Sequence, residues 1–189
     1  MDINFHLLND MQITVCTDVI RQKGALKLSR LIIYDIQNET LTAKNDDILF
    51  SANPIVKPCV GCFGCWIKTP GRCVINDRCS DIPSYIAKCD EVILISPVLF
   101  GGYSENIKAV IDRSIPYVLP YFRIVGGEMH HKMRYKHSFK LKVLFYGECD
   151  VEERQIAESL VRANSMNFGA KSYEVKFFNR IEELRGEIL

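Results

Sequence analysis

The sequence predicts a single α/β domain built around a parallel β-sheet. Short apolar runs alternate along the chain with segments whose apolar residues recur at helical spacing, which is the pattern of βαβ units. The clearest run, EVILIS at Glu91–Ser96, is apolar almost throughout, as expected of a strand that is buried on both faces. A chain of 189 residues fits one domain, 1–189, and can bury a core without disulfide bonds.

Four further runs complete the expected strands. Leu141–Tyr146 is followed directly by Gly147, and Tyr173–Phe178 comes later in the chain. Near the start, Ile3–Leu8 and Leu31–Tyr34 have a similar apolar character. Five strands joined by helices predict right-handed crossovers and a ligand site beyond the carboxyl ends of the strands.

Helices are expected between these strands. Ser104 and Asp150 are placed to cap the two clearest helices, because each precedes apolar residues at helical spacing. Glu153, three residues after Asp150, completes the pattern of a capping box. Two further helices are expected to begin at Ser80 and to cover 12–23.

Composition and charge argue against several classes of protein. The chain has 24 Lys and Arg against 23 Asp and Glu, a net charge of +1 that does not favour nucleic-acid binding. No apolar run is long enough to span a bilayer, and the start MDINFHLLND lacks the features of a signal peptide. We therefore expect a cytoplasmic protein that binds neither nucleic acid nor membrane.

Four of the eight cysteines lie in one short stretch with the spacing C-x2-C-x2-C-x7-C: Cys59, Cys62, Cys65 and Cys73. The first three are separated by two residues each on a glycine-containing loop, so their thiols can converge on one point. Thiolates are the usual ligands of iron–sulfur clusters, and they also bind zinc. The spacing leaves three interpretations open: a metal or cluster site, a redox-active dithiol, and reduced thiols in a packed turn.

The stretch SPVLFGGYS at 96–104 is the second candidate site. Pro97 ends the strand before it, and the amides of a helix N-terminus follow it. Its glycines allow close approach of the backbone to a ligand, and its flat apolar side chains can contact a planar heterocycle. These residues are Leu99, Phe100, Gly101, Gly102 and Tyr103. Taken alone, the stretch is more typical of an ordinary connection between a strand and a helix than of a ligand site.

Together the two stretches resemble a known family. SPVLFGGYS, the downstream Lys108 and Asp112-Arg113, the block CVGCFGCWIKTPGRC and the later GEMHHKMRY are similar to the NADPH-dependent FMN reductase group of the flavodoxin-like superfamily. The cysteine spacing is also similar to that of the iron–sulfur flavoproteins, which bind FMN and a 4Fe–4S cluster. The resemblance covers residues 55–170, most of the chain.

The resemblance implies a three-layer α/β/α flavodoxin-like fold with a central parallel five-stranded sheet. It also implies FMN as cofactor, NAD(P)H or a reduced carrier as electron donor, and a homodimer or homotetramer. In the family, backbone amides beside the flavin ring stabilise charge on the reduced flavin. The positions that match the two ring-side loops are Ser96, Pro97, Val98, Leu99, Phe100, Gly101, Gly102, Tyr103, Gly147 and Glu148.

The phosphate side of the expected FMN site departs from the family. The family binds the FMN phosphate on the first βα loop, which is rich in Ser, Thr, Asn and Arg. Here that loop is NDMQ if Ile3–Leu8 is the first strand, and DIQN if Leu31–Tyr34 is. Each contains an acidic residue that would repel a phosphate. FMN is then expected to bind weakly, through other donors such as Thr14 or Thr17, or not at all.

Smaller features surround the cysteine stretch. Arg113, late in a helix, is expected to form a salt bridge, and Trp66 to pack in the core near the cysteines. His130 and His131 follow the aromatic segment IPYVLPYF. They are interpreted either as a contact with a substrate or second subunit, or as a solvated loop or structural hydrogen-bond cluster.

The expected function is FMN-dependent oxidation of NAD(P)H, with electrons passed to a small acceptor such as flavin or quinone. The flavin performs the chemistry, so no side chain is assigned as a catalytic acid or base. Two alternatives stay open. One is an iron–sulfur flavoprotein electron carrier with its cluster on the four cysteines. The other is a flavin-free redox or interaction module.

Overall fold

The computed structural model describes residues 28–37, 41 and 46–188. The expected strand Ile3–Leu8 and helix over 12–23 lie outside these residues, as do Thr14 and Thr17. The described strands are β1 (Leu28–Tyr34), β2 (Asp47–Ser51), β3 (Cys89–Pro97), β4 (Val118–Val125), β5 (Glu128–Met133), β6 (Lys140–Tyr146) and β7 (Ser172–Phe178). The described helices are α1 (Gly64–Ile67), α2 (Ile82–Ile86), α3 (Glu105–Arg113), α4 (Val151–Asn167) and α5 (Arg185–Ile188), with 3₁₀ turns at Ile115–Tyr117 and Ile181–Leu184. None of the described helices is long and apolar enough to cross a membrane.

Five of these strands form one sheet in the order β2-β1-β3-β6-β7. Every neighbouring pair in it runs parallel, whereas β4 and β5 form a separate antiparallel pair. Numbered within the large sheet alone, the order is 2-1-3-4-5, which is that of flavodoxin-like folds. Helices and turns pack on both faces, so the three-layer α/β/α fold with a parallel five-stranded sheet is confirmed.

Four of the expected strands are confirmed with small extensions, as β1, β3, β6 and β7. The fifth strand of the sheet is β2, which the sequence pattern did not predict. Its residues, DILFS, alternate between half-exposed and buried positions. Such a short edge strand lacks the continuous apolar run that marks the central strands of a parallel sheet.

Different parts of the chain cover the two faces of the sheet. Along β1, Leu31 faces one side and Ile32 the other, because side chains alternate along a strand. Helices α2, α3 and α4 pack on the face that contains Leu31. On the opposite face, Leu184 and Ile188 near the C-terminus join the core. Both faces of the sheet are therefore buried in the described chain.

The expected helix caps are confirmed. At the start of α3, the Ser104 hydroxyl accepts a hydrogen bond from the Ile107 amide at 3.3 Å. At the start of α4, the Asp150 carboxylate accepts from the Glu153 amide at 2.8 Å, and the Glu153 carboxylate accepts from the Asp150 amide at 3.2 Å. Both helices begin just beyond the carboxyl edge of the sheet, so these caps fix where the neighbouring loops end.

β4 and β5 form a hairpin that the sequence pattern did not predict. Gly126 and Gly127 make its turn with φ values of 60° and 87°, and a two-residue turn of type I′ needs such left-handed values at both positions. This Gly-Gly pair is the signal from which the hairpin could have been found. The hairpin exposes several large apolar side chains: Tyr121, Phe122, Ile124, Val125 and Met129.

Candidate functional site

The two loops expected beside a flavin ring lie next to each other at the carboxyl edge of the sheet. β3 and β6 are neighbours, and their last residues, Pro97 and Tyr146, are paired. Immediately beyond them, the Val98 amide donates to the Tyr146 carbonyl at 2.9 Å. The structure therefore brings 97–103 and 147–150 together, at the position where flavodoxin-like folds bind their ligand.

The loop after β3 closes on itself in a tight turn. The Leu99 amide donates to the Gly102 carbonyl at 3.0 Å, and the Gly102 amide donates back to the Leu99 carbonyl at 2.8 Å. Phe100 forms the tip with φ of 50°, an uncommon value for a residue other than glycine, and its side chain is 91% exposed. Two of the amides expected to face a flavin are thus already paired with carbonyls of the same turn.

Three side chains of this loop serve the core. Ser96 is fully buried, where its hydroxyl donates to the Pro97 carbonyl at 2.8 Å and accepts from the Ser104 amide at 2.9 Å. Val98 is buried as well. The Tyr103 ring lies 5.4 Å from that of Phe145, and burial raises the pKa of the Tyr103 hydroxyl to about 12. These residues hold the loop in place and do not line an open surface.

Gly101 is required for packing against α4. It adopts a φ of 72°, and a Cβ added there would lie 2.8 Å from Ile156 Cβ and 2.9 Å from the Glu153 carbonyl oxygen. Gly102 is less constrained, since the nearest atom to an added Cβ is 3.4 Å away. The first glycine of the pair therefore has a structural reason that is independent of any ligand.

The second loop is held by the last strand. The Gly147 amide donates to the Phe178 carbonyl at 3.0 Å, and Gly147 has a φ of 106° that favours glycine. Glu148 follows with an exposed side chain. Leu99, Phe100 and Glu148 are therefore the predicted ring-side residues whose side chains are most accessible.

An acidic residue stands where the phosphate loop would begin. Asp35 directly follows β1 and is buried. Its carboxylate accepts from the Asn106 side-chain amide at 3.0 Å, and its carbonyl accepts from the Tyr146 hydroxyl at 2.6 Å. The described residues 35–37 offer neither a hydroxyl nor a positive charge. If the strand ending at Tyr34 is the first strand, the described part of its following loop therefore has the acidic residue and lacks the phosphate-binding residue types, as the sequence predicted.

The four clustered cysteines line one cavity of about 530 Å³. None of the described cysteines forms a disulfide; Cys59 and Cys62 are exposed, Cys65 is buried and Cys73 is partly buried. Burial raises the pKa of Cys65, and the other three thiols add to this shift. The thiols are thus close enough to influence one another.

The fold of the cysteine loop depends on a tight turn before α1. Phe63 has a φ of 54°, and a Cβ added to the next residue, Gly64, would lie 2.6 Å from Val74 Cγ1. The absence of a side chain at Gly64 therefore lets the segment before Cys73 and the segment after it touch. Trp66 anchors α1 by donating from Nε1 to the Val118 carbonyl at 3.0 Å.

An aromatic stack joins the cysteine loop to the hairpin. The His131 ring lies 5.1 Å from the Trp66 ring on one side and 4.8 Å from the Phe122 ring on the other. The neighbouring His130 is buried, with Nδ1 hydrogen-bonded to Asn167 Oδ1 at 3.0 Å. His131 is held by ring packing and His130 by one hydrogen bond, whereas His130 Nε2 and His131 Nδ1 are buried without a hydrogen-bond partner among the described residues.

Arg113, the last residue of α3, lines the cavity. Its side chain has no exposed surface and forms the expected salt bridge, with Asp77, at 2.7 Å. Burial lowers the pKa of Arg113, but the hydrogen bonds to Asp77 and the nearby thiols outweigh this effect and raise it above its usual value. The guanidinium in turn lowers the pKa of Asp77. The cavity wall therefore contains a buried arginine whose charge is paired with Asp77.

The donor set of the cavity is four thiols, a ligand type that both iron–sulfur clusters and zinc use. Among the described residues, no group of three or more His, Cys, Asp or Glu side chains is arranged to hold one metal ion. A cubane cluster binds each thiolate to a different iron, so it keeps the four sulfurs further apart than one ion does. Four thiols around one cavity fit this chemistry.

The two candidate sites are connected through α3 and α4. Both helices begin beside the ring-side loops and end at the cavity, which Arg113 and Asn167 line. Asn164 also lines the cavity, and its side-chain amide donates to the Tyr103 hydroxyl of the ring-side loop at 3.4 Å. The sequence alone did not predict which helix ends each candidate site adjoins.

Fold and loop positions together define a flavodoxin-like protein, and comparison with known proteins agrees. No protein-family model matches the chain. Among solved structures, an azoreductase from Bacillus anthracis str. Sterne superposes with a TM-score of 0.53 at 14% identity, covering 85% of this chain and 93% of that one. At this identity the likeness concerns the fold alone.

Curated relatives add a specific resemblance. An iron–sulfur flavoprotein of Methanocaldococcus jannaschii is 42% identical over 65 residues, which are 34% of this chain and 33% of that protein. An iron–sulfur flavoprotein of Methanosarcina thermophila is 35% identical over 69 residues, 36% of this chain and 35% of that protein. The matches span about a third of the length of these relatives. They confirm the resemblance to the group that the sequence motifs indicated.

Proposed function

We propose that the protein is a flavin-dependent oxidoreductase that binds FMN at the carboxyl edge of its sheet. The adjacency of the loops 97–103 and 147–150 supports this assignment, because flavodoxin-like folds bind their ligand beyond the carboxyl ends of these strands. Bound FMN would supply both hydride and single-electron chemistry. The chain would contribute the exposed side chains of Leu99 and Phe100, and loop backbone not already paired within the turn.

Of the two ways to use a flavin, the iron–sulfur flavoprotein type is the better supported. The main observation in its support is that four cysteines line one cavity: Cys59, Cys62, Cys65 and Cys73. The two curated relatives are named for both an iron–sulfur centre and a flavin. A 4Fe–4S cluster on these thiols would make the protein an electron carrier between a reduced donor and an acceptor.

The second candidate is an FMN reductase that oxidises NAD(P)H and reduces a small acceptor such as flavin or quinone. The family resemblance of SPVLFGGYS and the position of this loop support it. In that case the cysteines would be reduced thiols. Self-association as a homodimer or homotetramer belongs to either candidate, and the exposed apolar hairpin supports it.

The buried Asp35 supports a third outcome, in which FMN binds weakly or not at all. Its carboxylate would repel a phosphate bound close to the end of β1. Riboflavin has the same ring without the phosphate, so the two ligands separate ring binding from phosphate binding. Equal affinity for both would indicate that the ring-side loops alone carry the interaction.

The test is the visible spectrum of anaerobically purified protein, followed by assay of iron and sulfide and by reconstitution with FMN. Four irons per chain with a broad absorption shoulder would support the iron–sulfur carrier. Flavin bands without iron, and FMN-dependent consumption of NADH or NADPH, would favour the reductase. A colourless protein that binds neither FMN nor riboflavin would contradict both.

The cysteine assignment has a matched control. Cys62→Ser is expected to abolish iron binding, since it removes one of three closely spaced thiols. Cys149→Ser removes a thiol outside the cavity and is expected to retain the iron content of the natural protein. Equal iron loss in the two variants would contradict the assignment.

A further inference from the structure

Every hydrogen of the Arg113 guanidinium that can be donated has a partner. Nε donates to Cys73 Sγ at 3.0 Å. Nη1 donates to the Lys57 carbonyl at 2.7 Å and to Asp77 at 3.0 Å. Nη2 donates to the Ile75 carbonyl at 3.1 Å and to Asp77 at 2.7 Å. Five bonds equal the full donor capacity of arginine, which explains how a charge with no exposed surface is tolerated.

These five bonds join the two ends of the cysteine loop. Lys57 lies two residues before Cys59, whereas Ile75 and Asp77 lie shortly after Cys73. Arg113 itself belongs to neither end, because it is the last residue of α3. A single buried side chain from another element therefore holds the loop closed around the cavity.

Cys73 is the one of the four clustered cysteines that close spacing in the sequence does not place. Cys59, Cys62 and Cys65 are placed near one another by their short spacing, but seven residues separate Cys65 from Cys73. That connection is folded by its own hydrogen bonds, from the Gly71 amide to the Cys65 carbonyl at 3.2 Å and from the Arg72 amide to the Thr69 carbonyl at 2.9 Å. These bonds place the backbone, and the contact with Arg113 adds a bond at the Cys73 sulfur itself.

We propose that Arg113 is the positioning residue that sets Cys73 as the fourth cluster ligand, and that its N–H···S bond raises the reduction potential of the cluster. This inference rests on the proposed cluster. Hydrogen bonds to ligand sulfur tune cluster potentials, because they favour the more negatively charged reduced state. Lysine at this position would keep a positive charge but would lose the planar fork that reaches sulfur, carboxylate and carbonyls together.

The experiment compares Arg113→Lys and Arg113→Met with Arg72→Lys after cluster reconstitution. Arg72 lies in the same loop, but it pairs with Asp81 at the surface and its side chain is 51% exposed. Both Arg113 variants are expected to lose the cluster to a chelator about tenfold faster, as is typical when a partner of a metal ligand is removed. They are also expected to show a lower midpoint potential, whereas Arg72→Lys is expected to match the natural protein in both measurements.

A double-mutant cycle with Cys73→Ser separates positioning from general loosening of the loop. If Arg113 acts through Cys73, then Arg113→Met adds little to the rate of cluster loss once Cys73 is replaced. Additive effects on that rate would overturn the inference, and so would an unchanged midpoint potential in the Arg113 variants.

Asp77→Asn provides a variant that keeps the guanidinium in place. Removing the carboxylate leaves more positive charge facing Cys73, so the midpoint potential is expected to rise, opposite to the effect of Arg113→Met. A lower midpoint potential in Asp77→Asn would overturn the proposal that the charge on Arg113 sets the potential.

The failure of this inference can be told apart from the failure of the proposed cluster. If the natural protein takes up no iron and sulfide, both are wrong. Normal uptake with unaffected Arg113 variants would refute this inference alone.

Discussion

The carboxyl edge of the sheet and the cysteine loop are built in contrasting ways. At the edge, the backbone satisfies itself: Leu99 and Gly102 exchange hydrogen bonds, and Gly101 exists to admit α4. In the cysteine loop, one buried side chain, Arg113, connects distant backbone segments. The edge should therefore tolerate loss of a single side-chain hydrogen bond, whereas the cysteine loop should not.

The comparison also shows that a motif can mark packing as well as ligand binding. SPVLFGGYS suggests glycines that admit a cofactor, yet the structure gives Gly101 a contact with Ile156 that would require glycine in any case. The cysteine spacing suggests ligands, yet the residue that orders the last of them, Arg113, lies outside the motif. Functional and structural reasons for a residue type have to be separated by experiment.

The largest expected effect is at the cysteine loop. Arg113→Met leaves Asp77 without its partner and two backbone carbonyls without a donor, and is expected to lower the free energy of unfolding by about 3 kcal/mol. Arg72→Met, which breaks an exposed pair, is expected to cost at most about 1 kcal/mol. Urea unfolding of the metal-free variants measures both. Equal costs would remove the contrast between the buried and the exposed arginine.

The next effect is at the carboxyl edge. Gly101→Ala combines an unfavourable φ with a contact that is too close, and is expected to destabilise the fold by about 2 kcal/mol. Gly102→Ala, whose added Cβ would meet the Leu99 carbonyl oxygen at 3.4 Å in ordinary contact, is expected to cost less than about 1 kcal/mol. Thermal unfolding without added flavin gives the comparison.

A second substitution tests whether packing on α4 is the reason. Ile156→Gly removes both the Cβ at 2.8 Å and the Cγ2 at 2.9 Å from the added methyl group, so Gly101→Ala is expected to cost less in the Ile156→Gly background than in the natural chain. If stability is unchanged by Gly101→Ala while FMN affinity falls, the glycine serves the cofactor and the packing explanation is wrong.

A smaller effect is expected at the start of α3. Ser104→Ala removes the hydroxyl that accepts from the Ile107 amide and is expected to cost about 1 kcal/mol of unfolding free energy. Ser104→Asp keeps an acceptor at the cap and serves as the control. The measurement is denaturant unfolding, and a loss in Ser104→Asp equal to that in Ser104→Ala would show that capping is not the cause.

The smallest expected effect depends on pH. Arg113 lowers the pKa of Asp77 in the folded chain, so the pair contributes stability above the ordinary carboxyl range near pH 4. That contribution should be lost as the pH falls through the lower folded value. Unfolding free energies between pH 6 and 2 should therefore fall less steeply in Asp77→Asn than in the natural chain; parallel curves would contradict the assignment.

Central strands and helix caps could be predicted from the sequence because their signals are local. The central strands β3 and β6 are apolar runs, and Asp150 with Glu153 forms a capping box within one turn of α4. β2 was not predicted, because an edge strand needs few apolar residues and so lacks a clear apolar run. The hairpin was not predicted, because Pro120 interrupts the strand pattern of β4, although the Gly126-Gly127 pair is typical of a hairpin turn.

For the candidate sites, too, local sequence predicted the residues but not their arrangement in space. The sequence by itself determined the candidate site residues: four thiols at close spacing, a loop with apolar side chains after a central strand, and an acid where a phosphate loop would begin. These depend on residue identity and on neighbours a few positions away. Their mutual arrangement is not encoded locally.

Only the tertiary structure decided that Arg113 reaches Cys73, 40 residues away, and that the ring-side loops adjoin the starts of α3 and α4 whereas the cysteine cavity adjoins their last residues. Parallel strands place every βα loop at one edge, and the helices then carry the chain back to the other. Which loop meets which helix end follows from strand order, and strand order is set by packing the whole sheet rather than by any single segment.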